Sequence, residues 1–183
     1  MMFRLLTYNI LHGGTGRVDA IAQVINAVAP DLVLLQEATD AANVERLAEA
    51  TGMEDGRTFQ RQSLGFLSRK KVSFVQWIRP RVSRHAFLEV VPAGDEVRVF
   101  GVHLSAVHAA WTERRRVHEL HALLKSVDQH REGFHVLTGD FNTVAPGEHF
   151  DMDKLPFRLK PLIWLSGGSV RWRTIQTVLD AGY

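Results

Sequence analysis

The run Leu32-Val33-Leu34-Leu35 is the feature that most limits the folds open to this chain. Four consecutive apolar residues predict a strand that is covered on both faces, because a strand with one face in water would alternate apolar and polar side chains. An amphipathic helix is predicted just before it, since apolar residues recur at helical spacing from Val18 to Val28 and Pro30 follows. A covered strand beside such a helix favours a layered α/β fold.

Helical and strand-like patterns alternate at both ends of the chain, and short strands fill the middle. A helix is predicted over 41–51, where Gly52 stands at the usual place of a C-terminal glycine. Further helices are predicted from Trp111 to Gln129 and from Arg171 to Leu179. Strands are predicted at 3–8, 32–35, 63–67, 72–78, 85–91, 97–104 and 134–138. No linker or low-complexity stretch interrupts this order, so we expect a sheet-rich α/β sandwich in one domain over residues 1–183.

The composition excludes several classes of protein. The chain contains no cysteine, which excludes disulfide scaffolds, thiolate zinc sites and cysteine nucleophiles. No apolar run approaches the roughly 20 residues of a transmembrane helix, and Met1-Met2-Phe3-Arg4 lacks the profile of a signal peptide. We therefore expect a cytoplasmic protein without a transmembrane segment, and the sequence does not point to any protein partner.

The charged residues are unevenly distributed. Residues 1–56 carry 3 basic and 8 acidic side chains, whereas residues 57–131 carry 14 basic and 6 acidic ones. Of the 22 basic residues 17 are arginine, whose planar guanidinium suits phosphate. A basic middle and an acidic beginning fit an anionic substrate held near a metal cation, and a set of solvated faces would give the same pattern. The charge alone leaves both interpretations open.

Polar side chains follow the apolar runs at the predicted carboxyl ends of four strands. They are Asn9, Gln36-Glu37, His103, and Asp140 with Asn142. Their carboxylates and amides are hard oxygen ligands that suit Mg²⁺ or Mn²⁺, and an imidazole beside them could stabilise a phosphoryl oxygen. Each has an ordinary structural explanation as well: a turn at Asn9 or Asp140, a helix start at Glu37, a core histidine at His103. Their recurrence at equivalent strand ends, where ligands bind in layered α/β folds, favours a shared site.

These segments resemble the motifs of the endonuclease/exonuclease/phosphatase family, which includes DNase I-like nucleases, exonuclease III-like enzymes, inositol polyphosphate phosphatases and sphingomyelinases. In chain order they are Thr7-Tyr8-Asn9-Ile10, Leu35-Gln36-Glu37, Gly101-Val102-His103-Leu104 and Gly139-Asp140-Phe141-Asn142. The segment from Ser63 to Arg69 is also similar to a family strand, with Phe66 in place of the usual small residue. The resemblance implies a four-layer α-β-β-α sandwich of the DNase I-like type. It also implies hydrolysis of phosphodiester or phosphomonoester bonds by in-line attack of an activated water.

The resemblance further implies a role for each strand-end residue. Glu37 would be the principal ligand of Mg²⁺ or Mn²⁺, with Asn9 supporting the metal or the phosphate. His103 would contact a non-bridging phosphate oxygen, Asp140 would orient or activate the water, and Asn142 would hold phosphate and nucleophile. The partner implied is a phosphoester substrate, with nucleic acid one candidate among inositol phosphates, phospholipids and small metabolites.

One departure from the family pattern concerns the C-terminus. Members carry a Ser-Asp-His segment there, and this sequence contains none. We therefore expect a domain that lacks its C-terminal strands, with an open sheet edge and low activity for residues 1–183 alone. The alternative function is a catalytically impaired member that acts as a phosphate- or nucleic-acid-binding module.

Two other motifs fall on the helix predicted from Trp111. Arg114-Arg115-Arg116 could bind phosphate or solvate the outer face of that helix. The segment His118-Glu119-Leu120-His121 resembles a zincin motif but lacks the H-E-x-x-H spacing, so we expect a solvated helix face there.

Overall fold

The computed structural model describes residues 2–59, 62–81, 83, 85–105, 110–128, 133–143, 157, 161 and 172–183. The strands in these ranges are β1 Leu5–Asn9, β2 Leu32–Gln36, β3 Asp55–Thr58, β4 Leu64–Ser68, β5 Val72–Ile78, β6 Phe87–Pro92, β7 Arg98–His103 and β8 His135–Asp140. The helices are α1 Val18–Val28, α2 Ala41–Thr51, α3 Ala110–Val127 and α4 Arg173–Asp180, with a 3₁₀ turn at His12–Gly14. None of the helices in the described ranges is long and apolar enough to cross a membrane.

The strands form two four-stranded sheets. Sheet A has the order β1-β2-β4-β3, in which β1 and β2 are parallel and the other pairs are antiparallel. Sheet B has the order β5-β6-β7-β8, in which β7 and β8 are the parallel pair. Parallel neighbours need a crossover connection, and the chain supplies α1 between β1 and β2 and α3 between β7 and β8. The predicted mixed α/β fold with two sheets is confirmed.

The chain divides into two compact units. The first unit comprises Met1–Arg79, His85–His103 and Arg131–Asp140, and it contains both sheets with α1 and α2. The second unit comprises Pro80–Arg84, Leu104–His130 and Phe141–Tyr183, and it contains α3 and α4. The expectation of one domain over residues 1–183 stays a prediction.

Two apolar layers stabilise the first unit. Leu32 and Leu34 belong to the layer between the sheets, together with Phe66 of β4. Val33 and Leu35 belong to the layer that sheet A forms with α1 and α2. All four residues of the run on β2 are completely buried, and each contributes about 1.5–3 kcal/mol. The run is apolar at every position because each face of β2 has a core of its own.

The ends of α1 and α2 follow local signals in the sequence. Helix α1 ends where Ala29 adopts a left-handed conformation just before Pro30. Helix α2 is capped at its N-terminus by Asp40, whose side chain accepts a hydrogen bond from the backbone N–H of Asn43 at 3.3 Å. Its C-terminal cap is Gly52, which has a φ of 63°, so the predicted bounds 41–51 are confirmed.

A buried charged cluster holds the second unit together. Arg116 is 1% exposed and donates through Nη2 to Oε2 of Glu113 at 2.7 Å and through Nη1 to the carbonyl of Ser105 at 2.9 Å. Glu113 also accepts a hydrogen bond from the backbone N–H of Thr174 at 2.8 Å, which ties α4 to α3. Glu119 is buried as well and accepts from the Ser105 hydroxyl at 3.0 Å. The prediction of a solvated or phosphate-binding helix face is therefore wrong at Arg116 and Glu119, because their charges are paired inside the unit.

Some element bounds differ from those that the sequence predicts. Strand β3 was not predicted at all, and β8 continues as far as Asp140. The last helix begins at Arg173 and ends at Asp180. Gln129 and Arg171, which were predicted as helix ends, lie outside the described residues. The other ends differ from the prediction by two residues or fewer.

Candidate active site

An amide at the end of β1 joins two carboxylates. Nδ2 of Asn9 donates to Oε1 of Glu37 at 3.3 Å and to Oδ2 of Asp140 at 3.2 Å. Oδ1 of Asn9 accepts a hydrogen bond from the backbone N–H of Leu11 at 3.0 Å, which fixes the orientation of the amide. The structure thus brings Asn9, Glu37 and Asp140 together, and we call these three residues the carboxylate cluster.

Glu37 is held in place from two sides. It stands one residue beyond β2 with a φ of 55°, which is uncommon for a residue with a side chain. Its Oε2 accepts a hydrogen bond from the backbone N–H of His12 at 2.8 Å, and Nδ1 of His12 lies 3.8 Å from the same oxygen. Partial burial works to raise the pKa of Glu37, but the hydrogen bonds from His12 and Asn9 and the nearby imidazoles of His103 and His12 hold that pKa below its ordinary value. Glu37 is therefore a carboxylate at neutral pH.

The loop after β1 places His12 beside Glu37. Leu11, His12 and Gly13 all have left-handed backbone conformations, with φ between 50° and 68°. The backbone N–H of Gly13 donates to the carbonyl of Glu37 at 2.8 Å, and a Cβ at Gly13 would lie 2.9 Å from Cβ of Asp40. A run of sparsely populated conformations next to polar side chains is typical of functional sites.

Asp140 ends β8 directly opposite His103, which ends β7. Gly139 precedes it with a φ of 135°, and a Cβ at Gly139 would lie 2.1 Å from the carbonyl oxygen of Val102 on β7. Only glycine can approach a paired strand so closely. This close approach sets the position of Asp140 beside His103.

His103 is fixed by two contacts within the first unit. Its side chain is almost fully buried, since the residue is 9% exposed. Nδ1 of His103 is hydrogen-bonded to the hydroxyl of Ser63, the residue just before β4. The ring of His85 stacks on the ring of His103, with centroids 5.0 Å apart and planes inclined by 7°. The imidazole is therefore held in one orientation.

Asn142 belongs to the second unit. It adopts a left-handed conformation with a φ of 49°. Its Nδ2 donates to the backbone carbonyl of Leu104 at 2.9 Å.

Of the five predicted site residues, Asn9, Glu37 and Asp140 share direct hydrogen bonds, and His103 is the cross-strand neighbour of Asp140.

Three histidine or serine residues around the carboxylate cluster were not predicted as site residues. His12 contacts Glu37, while Ser63 and His85 contact His103. Ser63 and His85 precede the strands β4 and β6, which run antiparallel to their neighbours. Finding Ser63 and His85 from the sequence would require the directions of β4 and β6, because a polar residue before an antiparallel strand lies at the same sheet edge as the carboxyl ends of its neighbours.

The donor set fits one class of metal ion. Among the described residues no group of three or more histidine, aspartate and glutamate side chains could hold a metal, so the closed set of a structural zinc site is not seen there. Mg²⁺ needs fewer protein ligands, since it is usually bound by one or two carboxylates and keeps several waters. Two carboxylates that face one amide agree with that preference.

Comparison with known proteins identifies the family. The model described as the endonuclease/exonuclease/phosphatase family matches residues 6–180 of this chain. The chain therefore belongs to the endonuclease/exonuclease/phosphatase family. No curated protein matches it.

Solved structures share the fold at low sequence identity. An AP endonuclease from Archaeoglobus fulgidus is similar with a TM-score of 0.69 and 15% identity, covering 99% of this chain and 71% of that one. The 3′ phosphatase NExo from Neisseria, bound to a product DNA hairpin, has a TM-score of 0.66 and 17% identity, with 99% and 72% covered. TDP2 from D. rerio, complexed with a single-strand DNA product, has a TM-score of 0.65 and 18% identity, with 78% and 62% covered. This chain spans 48% of one TDP2 chain from C. elegans and 63% of a humanized D. rerio one. The fold is DNase I-like.

Proposed function

We propose that this protein hydrolyses phosphodiester bonds of nucleic acid with the help of Mg²⁺ or Mn²⁺. The observation that carries the proposal is the convergence of the Glu37 and Asp140 carboxylates on the amide of Asn9, with His103 opposite Asp140. Two structures of the same fold contain a DNA product, in TDP2 and in NExo. The excess of arginine in residues 57–131 also supports a polyanionic substrate.

The side chains divide the reaction between them. Asp140 aligns the attacking water and takes its proton. The water oxygen attacks phosphorus in line with the leaving oxygen, the bond between phosphorus and that oxygen breaks, and the leaving oxygen takes a proton from solvent. His103 donates a hydrogen bond to a non-bridging phosphoryl oxygen through Nε2, because its Nδ1 is bonded to Ser63. Asn9 keeps the two carboxylates aligned. The phosphate-binding role that the resemblance gives to Asn142 stays a prediction.

Glu37 is the residue that would hold the metal ion, with water molecules completing its shell. Bound there, Mg²⁺ would neutralise the charge that develops on the phosphoryl oxygens. Asn9 orients the two carboxylates, because its Nδ2 donates hydrogen bonds to both of them and its Oδ1 accepts one from the backbone N–H of Leu11. The role of supporting the metal or the phosphate that the resemblance gives to Asn9 stays a prediction.

We expect Glu37→Gln to lower the affinity for Mg²⁺ by about tenfold or more, because it removes the negative charge and keeps the shape of the ligand. Isothermal titration of Mg²⁺ into the protein and its variant measures the difference. Glu49→Gln is the matched control, since Glu49 is an exposed residue of α2. Equal affinities for the protein and for Glu37→Gln would remove Glu37 from the metal site.

Hydrolysis of bis(p-nitrophenyl) phosphate tests the proposed activity itself. We expect turnover with Mg²⁺ or Mn²⁺, none after chelation, and recovery when the metal is restored. A protein that binds Mg²⁺ and an oligonucleotide but cleaves neither the small ester nor the oligonucleotide would be the binding module instead.

Ser63→Ala tests how His103 is positioned. Loss of the hydroxyl frees the imidazole to exchange tautomers, so we expect kcat to fall by about 5- to 10-fold with KM unchanged. Ser68→Ala is the matched control, because Ser68 is a buried serine at the other end of β4 whose hydroxyl makes no hydrogen bond. Nitrogen NMR of the imidazole should show a mixture of tautomers in Ser63→Ala alone. A kcat equal to that of Ser68→Ala would show that Ser63 has no positioning role.

A further inference from the structure

The strand ends of the two sheets form one edge in the first unit, and the candidate active site occupies part of it. Asn9 on β1 is hydrogen-bonded to Asp140 on β8, and Ser63, just before β4, is hydrogen-bonded to His103 on β7. The last strands along this edge are β3 in sheet A and β5 in sheet B. Neighbouring strands lie about 4.8 Å apart, so β3 is roughly 14 Å from β1. A substrate longer than a single phosphoester can extend in that direction.

An exposed aromatic ring stands at the far end of the edge. Phe59 lies one residue beyond β3, level with Leu64, and is 59% exposed. Its ring centroid is 5.9 Å from that of Trp77 on β5. Trp77 is braced in turn by the ring of Phe66 at 6.3 Å and by a hydrogen bond from its indole N–H to the carbonyl of Leu64 at 3.1 Å. Phe59 is therefore an exposed ring on a fixed aromatic support.

An exposed cation just beyond β5 favours a nucleic acid over a lipid as the ligand of this edge. Arg79 is exposed and stands one residue beyond the end of β5, two residues after Trp77. A ring for the base and a cation for the phosphate are the two elements that non-specific single-strand binding sites combine. Insertion into a lipid surface requires a broad apolar face rather than one ring.

A base that stacks on an exposed ring such as Phe59 has to be unpaired. Bases within a duplex are already stacked on one another, whereas the bases of a single strand can turn onto an aromatic side chain. Stacking tolerates every base because each has a π face, so such a subsite favours single strands without reading their sequence.

We propose that Phe59, supported by Trp77, is a stacking subsite for an unpaired base of a single-stranded nucleic acid whose scissile phosphate lies at the carboxylate cluster. This inference rests on the proposed function and names its substrate class. The subsite contributes affinity for the strand, and it does not act on the reacting atoms.

Binding of a short fluorescent oligothymidylate, followed by anisotropy, tests the subsite without requiring turnover. We expect Phe59→Ala to weaken binding by roughly 5- to 100-fold, whereas Phe59→Tyr keeps the ring and the affinity. Phe134→Ala is the matched control, because Phe134 is 70% exposed but lies just before β8, at the opposite end of that strand from Asp140. An oligomer of the same length with abasic residues should bind the protein and Phe59→Ala equally.

The outcomes separate this inference from the proposed function. Equal affinities of Phe59→Ala and Phe134→Ala for oligothymidylate would overturn the subsite. The subsite would also be overturned if Phe59→Ala lost as much affinity for the abasic strand as for oligothymidylate, or if the unaltered protein did not bind oligothymidylate. Loss of binding to phosphatidylcholine–phosphatidylserine vesicles in Phe59→Ala, with oligothymidylate binding unchanged, would assign the ring to lipid instead. Hydrolysis of bis(p-nitrophenyl) phosphate by the unaltered protein tests the proposed function separately, because this small ester does not span the roughly 14 Å between β1 and β3. Failure of that hydrolysis in the unaltered protein would count against the proposed function alone.

Discussion

Asp140→Asn is expected to lower kcat for phosphodiester hydrolysis by about 10²- to 10⁴-fold, the usual contribution of a general base. Asparagine keeps the size of the side chain and retains an oxygen that can accept the hydrogen bond from Nδ2 of Asn9. What it removes is the ability to take a proton from the attacking water. The fold should therefore survive, and the chemical step should be lost.

Steady-state hydrolysis of bis(p-nitrophenyl) phosphate, with circular dichroism of the same samples, measures this effect. Asp95→Asn is a suitable control, because Asp95 is paired with Lys70 in a surface salt bridge and belongs to no part of the carboxylate cluster. The control should lose less than about 1 kcal/mol of stability and no activity. Turnover by Asp140→Asn within threefold of the unaltered rate would exclude Asp140 as the base.

Strand β2 shows what the sequence can predict about this fold. Its four apolar residues require a core on each face, and the structure has one layer between the sheets and another beneath α1 and α2. Strand β3 shows the opposite case. Two of its four residues, Asp55 and Gly56, are of types that are depleted in strands, and the segment pairs with the edge that β4 offers. A strand that forms through tertiary pairing of this kind has no recognisable pattern in its local sequence.

The surroundings of the candidate active site were harder to predict than its centre. Asn9, Glu37 and Asp140 stand at or just beyond the carboxyl ends of strands, where a polar residue after an apolar run is easy to notice. Ser63 and His85 come before strands instead. They reach the same edge only because β4 and β6 run antiparallel to their neighbours, and strand direction is not visible in the sequence.

Gly139→Ala is expected to reduce the free energy of unfolding by about 4 kcal/mol or more, which is exceptional for a single methyl group. Two effects combine at this position. The backbone of Gly139 has a φ of 135°, where a side chain is strained, and the added Cβ would lie 2.1 Å from the carbonyl oxygen and 2.8 Å from the nitrogen of Val102. Both atoms belong to the backbone of β7, so no side chain can turn away to relieve the contact.

Urea unfolding followed by circular dichroism measures this loss, and two glycine controls separate its causes. Gly16 has a φ of 71° with open space around it, so Gly16→Ala carries backbone strain without a clash and should cost about 1 kcal/mol. Gly133 has neither a positive φ nor an atom within 4 Å of an added Cβ, so Gly133→Ala should be neutral or stabilising by up to about 1 kcal/mol. The clash is the wrong explanation if Gly139→Ala loses no more stability than Gly16→Ala.

The same substitution, Gly139→Ala, should also displace Asp140 in the candidate active site. Relief of the clash requires β8 to move away from β7 at the pair formed by Val102 and Gly139, and the next pair along the ladder is His103 with Asp140. Asp140 would then leave its place opposite His103 and its hydrogen bond to Asn9. We therefore expect the folded fraction of Gly139→Ala to lose activity as well as stability, which a measurement of kcat below the unfolding transition will detect. A folded Gly139→Ala protein with unaltered kcat would show that Asp140 does not depend on the close approach of the two strands.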